Sequence, residues 1–485
     1  MEVCYIVLNY RLSPAFLSRP LRGHPKVNCP QGKRSHPGVS PRGRELFRRI
    51  SGGEDVCPLD TYAFLYSRFF GGNVAISPGL CYNSSIFIMG RNGLMNIGEV
   101  RLRRGEEKEL LAGGCWVYDN EVSWVDEDCE NGGIVDVTAH DGSFVGRGFF
   151  NGESKIIVRL VTRQREEVNT EFIALRIRDA WIRRRQLGFS NACRVVFGDA
   201  DGLPGLTVDK FGEYLSFQIV SAGMERFKSD IIEILAALFE PKGICERNDV
   251  AIREKEGLSL CSGCVYGQLP EKIRFRENDA MMEADLLNGQ KTGHFLDQQE
   301  NRGRIRPYCR GARVLDLCCH TGGFTVHAGL YGAKSVKSVD VSQSALDMLL
   351  GNAELNGVDH LVEPVCENVF DLVKRESDGG EQYDFIICDP PAFSKSRKTL
   401  DAAYRGYKEL NYRCMKMVAP GGYLASFSCS QFMTAPLFLQ MLREAAADAG
   451  RQVQLLEILM QSRDHAAAIY SETNWYLKGY IVRVL

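Results

Sequence analysis

The sequence predicts an α/β protein whose C-terminal part, 283–485, is a doubly wound, largely parallel sheet, preceded by a central α+β domain and a small N-terminal β-barrel. Three observations predict it. Apolar runs at Arg313–Leu317, Ser335–Val339, Phe385–Cys388 and Tyr423–Phe427 alternate with amphipathic helix patterns at Ser342–Leu355 and Tyr404–Val418. Such continuous apolar strands between helices belong to sheets covered on both faces. Upstream, short β-rich runs are separated by glycine-rich turns. Between these two regions, strand and helix patterns mix without a βαβ rhythm.

The bulk properties set the frame. A chain of 485 residues predicts roughly two to four domains. With 45% hydrophobic and 25% charged residues it has the composition of a soluble globular protein, and no apolar run approaches the ~20 residues that span a bilayer. The 17 cysteines are scattered, with no secretory signal before them, so reduced thiols and a cytoplasmic location are expected. A net charge of −2 excludes indiscriminate polyanion binding. A nucleic-acid role would need local basic patches, and candidates are Arg101–Arg104, the five arginines from Arg176 to Arg185, and Lys395–Lys398.

Residues 1–94 differ from the rest, carrying 12 Lys/Arg against 5 Asp/Glu, with Pro and Gly punctuating 20–53. The texture changes at Met95, a plausible protein start. An upstream extension of the gene model is favoured over an Arg-rich transit segment or a disordered basic arm. From 95 to 170, strand patterns at Gly132–Thr138, Phe144–Phe150 and Ile156–Val161 build the barrel. The central domain, 171–282, opens with an Arg-rich helix, Glu171–Leu187. Strands at Arg194–Phe197, Leu206–Val208 and Tyr214–Val220 follow, then a helix from Met224 to Phe239.

The candidate chemistry lies at strand ends of the last domain. Its first strand runs into Asp316-Leu-Cys-Cys-His-Thr-Gly-Gly-Phe324, a small-residue loop that opens a helix. This places backbone N–H groups and the helix dipole beside a ligand. The spacing is not the G-x-G-x-x-G of dinucleotide folds. Asp316 closes this strand and Asp340 the next, where a carboxylate can take both ribose hydroxyls. Together they suit a cofactor with a ribose and a charged amino-acid tail. A third strand ends in Asp389-Pro-Pro-Ala-Phe393, whose prolines hold a rigid loop over the ligand edge. Asp389 would meet a substrate base there and Phe393 would stack on it. The fourth ends in Ser428-Cys-Ser430, where Cys429 shares an edge with Asp389 as a nucleophile should. Most cysteines are small buried hydrophobes, and Cys318, Cys319, Cys388 and Cys414 read that way. Cys261-Ser-Gly-Cys264 has no second Cys/His pair at zinc spacing, so no metal is expected.

These segments resemble, in order, the bacterial 23S rRNA 5-methylcytosine methyltransferases of the large-subunit methyltransferase I type. The resemblance runs from about Val100 to Leu485. It includes an opening like a PUA RNA-binding domain (Arg103–Glu107 with Gly114–Tyr118), the turn Gly198–Asp209 and the segment Gly289–Arg302. It implies a class I, Rossmann-like methyltransferase fold, S-adenosylmethionine as cofactor and 23S rRNA as partner, with no membrane or metal and with a homodimer left open. Carried over onto this chain, the cofactor would be held by Gln290, Lys291, Thr292, Phe295, Asp297, Gln298, Arg302, Asp316, Cys318, Gly322, Asp340, Asn368 and Asp389. Pro390, Pro391, Phe393 and Lys395 would meet the substrate, with Cys429 and Asp389 catalytic.

The chain departs from the pattern in four places. Residues 1–94 have no counterpart. Asp464-His465 is followed by Ala466 where proline is usual. The acid after the third strand appears as Glu367-Asn368. Ala392 stands where other 5-methylcytosine enzymes place a cysteine after the prolines, leaving Cys429 as the nucleophile. Two other readings stay open at this level: guanine-N7 or exocyclic-amine methylation on the same fold, and a non-catalytic ribosome-assembly factor.

Overall fold

The computed structural model describes residues 97–289, 292–394, 396–470 and 475–485. The basic segment 1–94 and the candidate ligands Gln290, Lys291 and Lys395 lie outside the described residues. The N-terminal sheet has six strands: β1 (Gly98–Leu102), β2 (Trp116–Tyr118), β3 (Val122–Val125), β4 (Ile134–Thr138), β5 (Phe144–Phe150) and β6 (Ile156–Thr162). Their order is β2-β6-β5-β4-β1-β3, with β1 parallel to β4 and the other pairs antiparallel. Alternation along β1 turns Val100 and Leu102 inward onto Val117, Val137 and Val158.

The central sheet follows the helix Thr170–Gln186, whose N-cap Asn169 accepts a hydrogen bond from Phe172 N. Its strands are β7 (Ala192–Phe197), β8 (Leu206–Phe211), β9 (Tyr214–Ile219), β10 (Gly243–Asn248) and β11 (Cys261–Gly267), ordered β11-β10-β9-β8-β7. The expected helix Met224–Phe239 is two helices, Ala222–Arg226 and Lys228–Phe239, broken at Phe227. The break lets Phe227 pack on Phe149 of β5 (6.0 Å between ring centroids) while Ile231, Ile234 and Leu235 stay buried in the core cluster of the central sheet. A hairpin, β12 (Ile273–Glu277) and β13 (Ala280–Ala284), turns at Asn278 with a left-handed φ of 50°. Its alternating Ile273, Phe275, Ala280 and Met282 share one core with Phe211 and Cys245 of the central sheet and Val326 and Ala353 beyond it.

The last sheet has seven strands: β14 (Arg313–Leu317), β15 (Ser335–Asp340), β16 (Val362–Cys366), β17 (Tyr383–Cys388), β18 (Val418–Ser428), β19 (Val453–Met460) and β20 (Lys478–Val484). The order is β16-β15-β14-β17-β18-β20-β19. The first five run parallel, and β20 is antiparallel to both neighbours. Helices cover both faces, so β14, β17 and β18 bury side chains on each side, in two separate clusters. Among the described residues, no helix is long and apolar enough to cross a membrane.

Candidate active site

Strand register brings the chemistry to one edge. Leu317 pairs with Val339 and with Cys388, and Cys388 pairs with Ser426, so four parallel strands end side by side. Asp340, the loop from Cys318, Asp389 and Cys429 therefore follow one another along the carboxyl edge, where ligands bind in open α/β sheets. The loop after β14 is wound unusually. Cys318, His320 and Gly322 have φ of 62°, 49° and 84°, three left-handed residues within five. Non-glycine residues in this region carry strain of the kind kept at ligand sites. At Gly322 a Cβ would meet the Leu349 side chain at 2.6 Å, so the N-cap of the helix Gly323–Leu330 has to be glycine. Asp340 holds the loop, one carboxylate oxygen accepting from His320 N (2.9 Å) and the other from Ser342 N (3.0 Å). Each oxygen keeps a second lone pair.

Asp316 is buried at the end of β14 and accepts from Thr325 Oγ1 (2.7 Å). Burial raises its pKa from 3.8 to about 7 against the opposing pull of that hydrogen bond, and the nearby Asp389 adds to the rise. Asn368 sits beyond β16, caps the helix Val369–Gly379 through Phe370 N (2.9 Å) and is exposed.

The segment before the sheet, expected as a row of cofactor ligands, is built mainly into the protein. Thr292 is buried and its hydroxyl donates to Asp209, which is itself paired with Arg194 (2.9 Å). Asp297 accepts from Tyr476 (2.7 Å). Gln298 is engaged at both ends, accepting from Asn301 (2.6 Å) and donating to Asp389 Oδ2 (2.9 Å). It therefore supports Asp389 from the segment before the sheet. Arg302 pairs with the fully buried Glu277 (2.8 Å) and donates to Phe295 O (3.0 Å). Phe295 lies edge-on to His320 of the loop, 4.9 Å between ring centroids.

On the substrate side, Asp389 and Cys429 are half-buried. Pro390 is buried and Pro391 exposed, and the loop they start is tied to the end of β18 through Ser394 N to Ser430 Oγ (3.3 Å). Phe393 departs from expectation. Its ring lies 4.5 Å from Tyr407 and 5.8 Å from Phe370, inside an aromatic cluster, so it fixes the loop. The surroundings of Cys429 include residues that sequence reasoning missed. Tyr407 reaches Ser430 Oγ (2.9 Å), and the buried Lys478 donates to Ser430 O (2.6 Å). Only strand pairing could have exposed Lys478, through its register with Ser428.

In the arginine cluster 176–185 the expectation of an exposed basic face fails at Arg184. Arg184 is buried and bound to Asp201 (2.6 Å) and to Asp464 O (2.6 Å). Arg183 shares Asp201 and Arg178 pairs with Asp179, while Arg176 and Arg185 lie over Phe172 and Trp181. Arg183 and Arg184 thus hold the helix to the rest of the fold, while Arg176, Arg178 and Arg185 lie against residues of their own helix. The Asp464-His465 pair belongs to the same junction, with Asp464 accepting from Arg194 N (2.8 Å) and His465 packing on Phe197. Cys261 and Cys264 fall at odd spacing on β11 and face opposite sides, and among the described residues no cluster of three or more His, Cys, Asp or Glu could hold a metal.

A seven-stranded sheet with this order, a strained loop after the first strand and acids at successive strand ends define an S-adenosylmethionine-dependent methyltransferase. Residues 255–466 match the family model for S-adenosylmethionine-dependent methyltransferases, and residues 100–163 that for a PUA-like domain. Relatives named ribosomal RNA large subunit methyltransferase I are similar over nearly their whole length. Those from Aeromonas hydrophila and Aeromonas salmonicida are 40% and 39% identical over 394 and 393 residues, covering 79% of this chain and 98% of each relative. The chain belongs to the ribosomal RNA large subunit methyltransferase I family. A solved S-adenosylmethionine-dependent methyltransferase from Streptococcus mutans shares the fold, with a TM-score of 0.68 at 22% identity over 79% of this chain and 99% of that one.

S-adenosylmethionine is the cofactor, and the residues present fit it. Asp316 is a buried carboxyl that gains from an incoming cation. Arg302 Nε is a buried donor with no acceptor among the described residues, lying against Gly323 at the start of the loop's helix.

Proposed function

We propose that this protein methylates C5 of a cytosine in 23S ribosomal RNA, with Cys429 as nucleophile and Asp389 as the group that holds the base. The observation that carries the reading is Cys429 at the end of β18, on the same edge as Asp389 and tied to its loop through Ser430. The names of the 39–40% identical relatives support ribosomal RNA as the substrate class. The free cysteines of the described residues suit the reducing cytoplasm in which we place the protein.

Cytosine C5 is a poor nucleophile. The thiolate of Cys429 adds to C6 and pushes electron density onto C5, which takes the methyl group. A base then removes the C5 proton, and the thiolate of Cys429 leaves C6. Asp389, oriented by Gln298 and Asn301, bonds the N3/N4 edge and holds a proton there that offsets charge developing on the ring. S-adenosylmethionine, when bound, supplies an electrophilic methyl group. Asp340 has lone pairs left for a ribose diol, and Asp316 is placed for the cationic amino-acid end. The base must leave its stack, at a cost of about a few kcal/mol that contacts elsewhere recover. Trp124, exposed and overlaid by Arg101 at 5.5 Å on the N-terminal sheet, offers one such contact.

The test is product identity. Ribosomal RNA lacking the modification, incubated with the protein and labelled cofactor and digested to nucleosides, is expected to yield 5-methylcytidine. Label in 7-methylguanosine or an N-methylated base overturns the reading.

The role of Asp316 predicts a pH dependence. Its carboxyl is largely neutral below pH 7 in the free protein, whereas a cationic ligand group favours the carboxylate. Affinity for the cofactor therefore falls about tenfold per pH unit as pH drops below 7, and binding at pH 6 releases a proton. Calorimetry in two buffers of different ionisation enthalpy measures both, and an affinity flat from pH 5.5 to 7 removes Asp316 from the site. For the free protein the raised pKa acts in the opposite direction. The contribution of Asp316 to stability is complete below about pH 4 and is lost as pH rises through 7.

A further inference from the structure

Lys478 opens β20 directly opposite Ser428, the residue before Cys429, and its Nζ donates to the carbonyl of Ser430, the residue after it. The backbone of Lys478 thus pairs with one flank of the cysteine and its Nζ holds the other. The residue is only 7% exposed, at the buried start of a strand whose other charge, Arg483, is exposed. A buried lysine needs a compensating anion or gives up its proton. Among the described residues, the ionisable group acting on it is Cys429, and burial lowers its pKa to about 8. Two further groups among the described residues feel the thiol, Tyr407 from the helix Leu400–Met417 and Tyr476 from the segment before β20. Burial keeps both phenols neutral, Tyr407 at about 12, and the carboxylate behind Tyr476, Asp297, is bonded to it. None of these groups can take the thiol proton while holding a positive charge beside the sulfur.

We infer that Lys478 is the positioning residue that ionises Cys429, its neutral amine taking the thiol proton to leave a thiolate beside an ammonium. The S–H bond breaks, an N–H bond forms, and the pair keeps its net charge. When the thiol leaves the base, the reverse transfer restores both groups. This rests on Cys429 being the nucleophile, but its test does not depend on methyl transfer.

The test is the alkylation of Cys429 by iodoacetamide in the full-length protein without RNA, followed peptide by peptide by mass spectrometry from pH 5.5 to 10. The exposed Cys264 serves as the internal reference. Lys478→Met is expected to slow Cys429 alkylation at pH 7 about tenfold or more and to move its inflection upward, with Cys264 unchanged. Lys478→Arg, whose guanidinium keeps a charge but cannot accept a proton, is expected to leave the rate at pH 7 low, and full restoration would overturn proton transfer to Lys478. An unchanged Cys429 profile in Lys478→Met overturns the inference. If that variant does not fold, the native profile decides, since a Cys429 inflection at or above the ordinary thiol value of about 8.5 overturns it equally. A native protein that passes this test but yields no 5-methylcytidine fails the cytosine reading and leaves the Lys478–Cys429 pair standing.

Discussion

A Cys429→Ala protein is expected to bind S-adenosylmethionine within about twofold of the native affinity while transferring methyl groups to RNA more than about 10³-fold more slowly. The two halves of this outcome follow from the sheet order. The groups proposed to hold the cofactor, Asp316, Asp340 and the loop Cys318–Gly322, belong to β14, β15 and the turn after β14, whereas Cys429 follows β18, with β17 between them. Removing one sulfur from a half-buried strand end leaves the Ser430 contacts with Tyr407 and Lys478 available. Without the thiolate, C6 receives no electron pair and C5 stays too weak a nucleophile. Calorimetry gives the affinity, and single-turnover transfer of labelled methyl groups to rRNA gives the rate. Cytosine C5 methylation within about tenfold of native would sink the nucleophile assignment.

How far such a site can be read without coordinates depends on which residues hold each piece. The ends of β14, β15, β17 and β18 were legible because buried parallel strands write themselves as unbroken apolar runs, and an acid or a proline pair ends three of them. The antiparallel pair β19–β20 was not, because exposed Leu455, Leu456 and Ile458 and the charges of Lys478 and Arg483 spoil any simple period. Lys478 was lost with it. The segment Gly289–Arg302 was recognisable as a motif but not in its roles. Thr292 reaches Asp209 across 83 residues and Gln298 reaches Asp389 across 91, distances no local pattern encodes. Among the arginines 176–185, Arg184 shows the opposite case. Their density suggests a phosphate-binding face, yet Arg184 lies on the buried stripe of its helix with Ile177 and Ala180, where an acid from another element, Asp201, neutralises it.

The largest expected loss of stability comes from Glu277→Gln, about 3–5 kcal/mol. Glu277 is fully buried at the end of β12. It accepts from Arg302 (2.8 Å) and from His294 Nε2 (3.0 Å), with His327 Nε2 at 3.9 Å. Burial lowers the pKa of both histidines. His327 gives its Nδ1 proton to Gly323 O (2.7 Å) and takes Asn278 Nδ2 on Nε2 (3.3 Å), an arrangement that suits a neutral ring. The cluster is then one anion and one cation. Burial works against the charge on Glu277, but Arg302 and then His294 outweigh it and hold the carboxyl well below its ordinary range. Its contribution is therefore present above about pH 4.5 and is lost as pH falls further. Glutamine keeps the shape but leaves the Arg302 guanidinium buried and uncompensated against Gly323, at the start of the helix that carries the cofactor loop. The variant should unfold at lower urea and also bind S-adenosylmethionine more weakly, because the loop loses its backing. Urea titrations with and without the cofactor measure both effects. A loss under about 1 kcal/mol would mean that water reaches this cluster and that the pair contributes no more than a surface ion pair does.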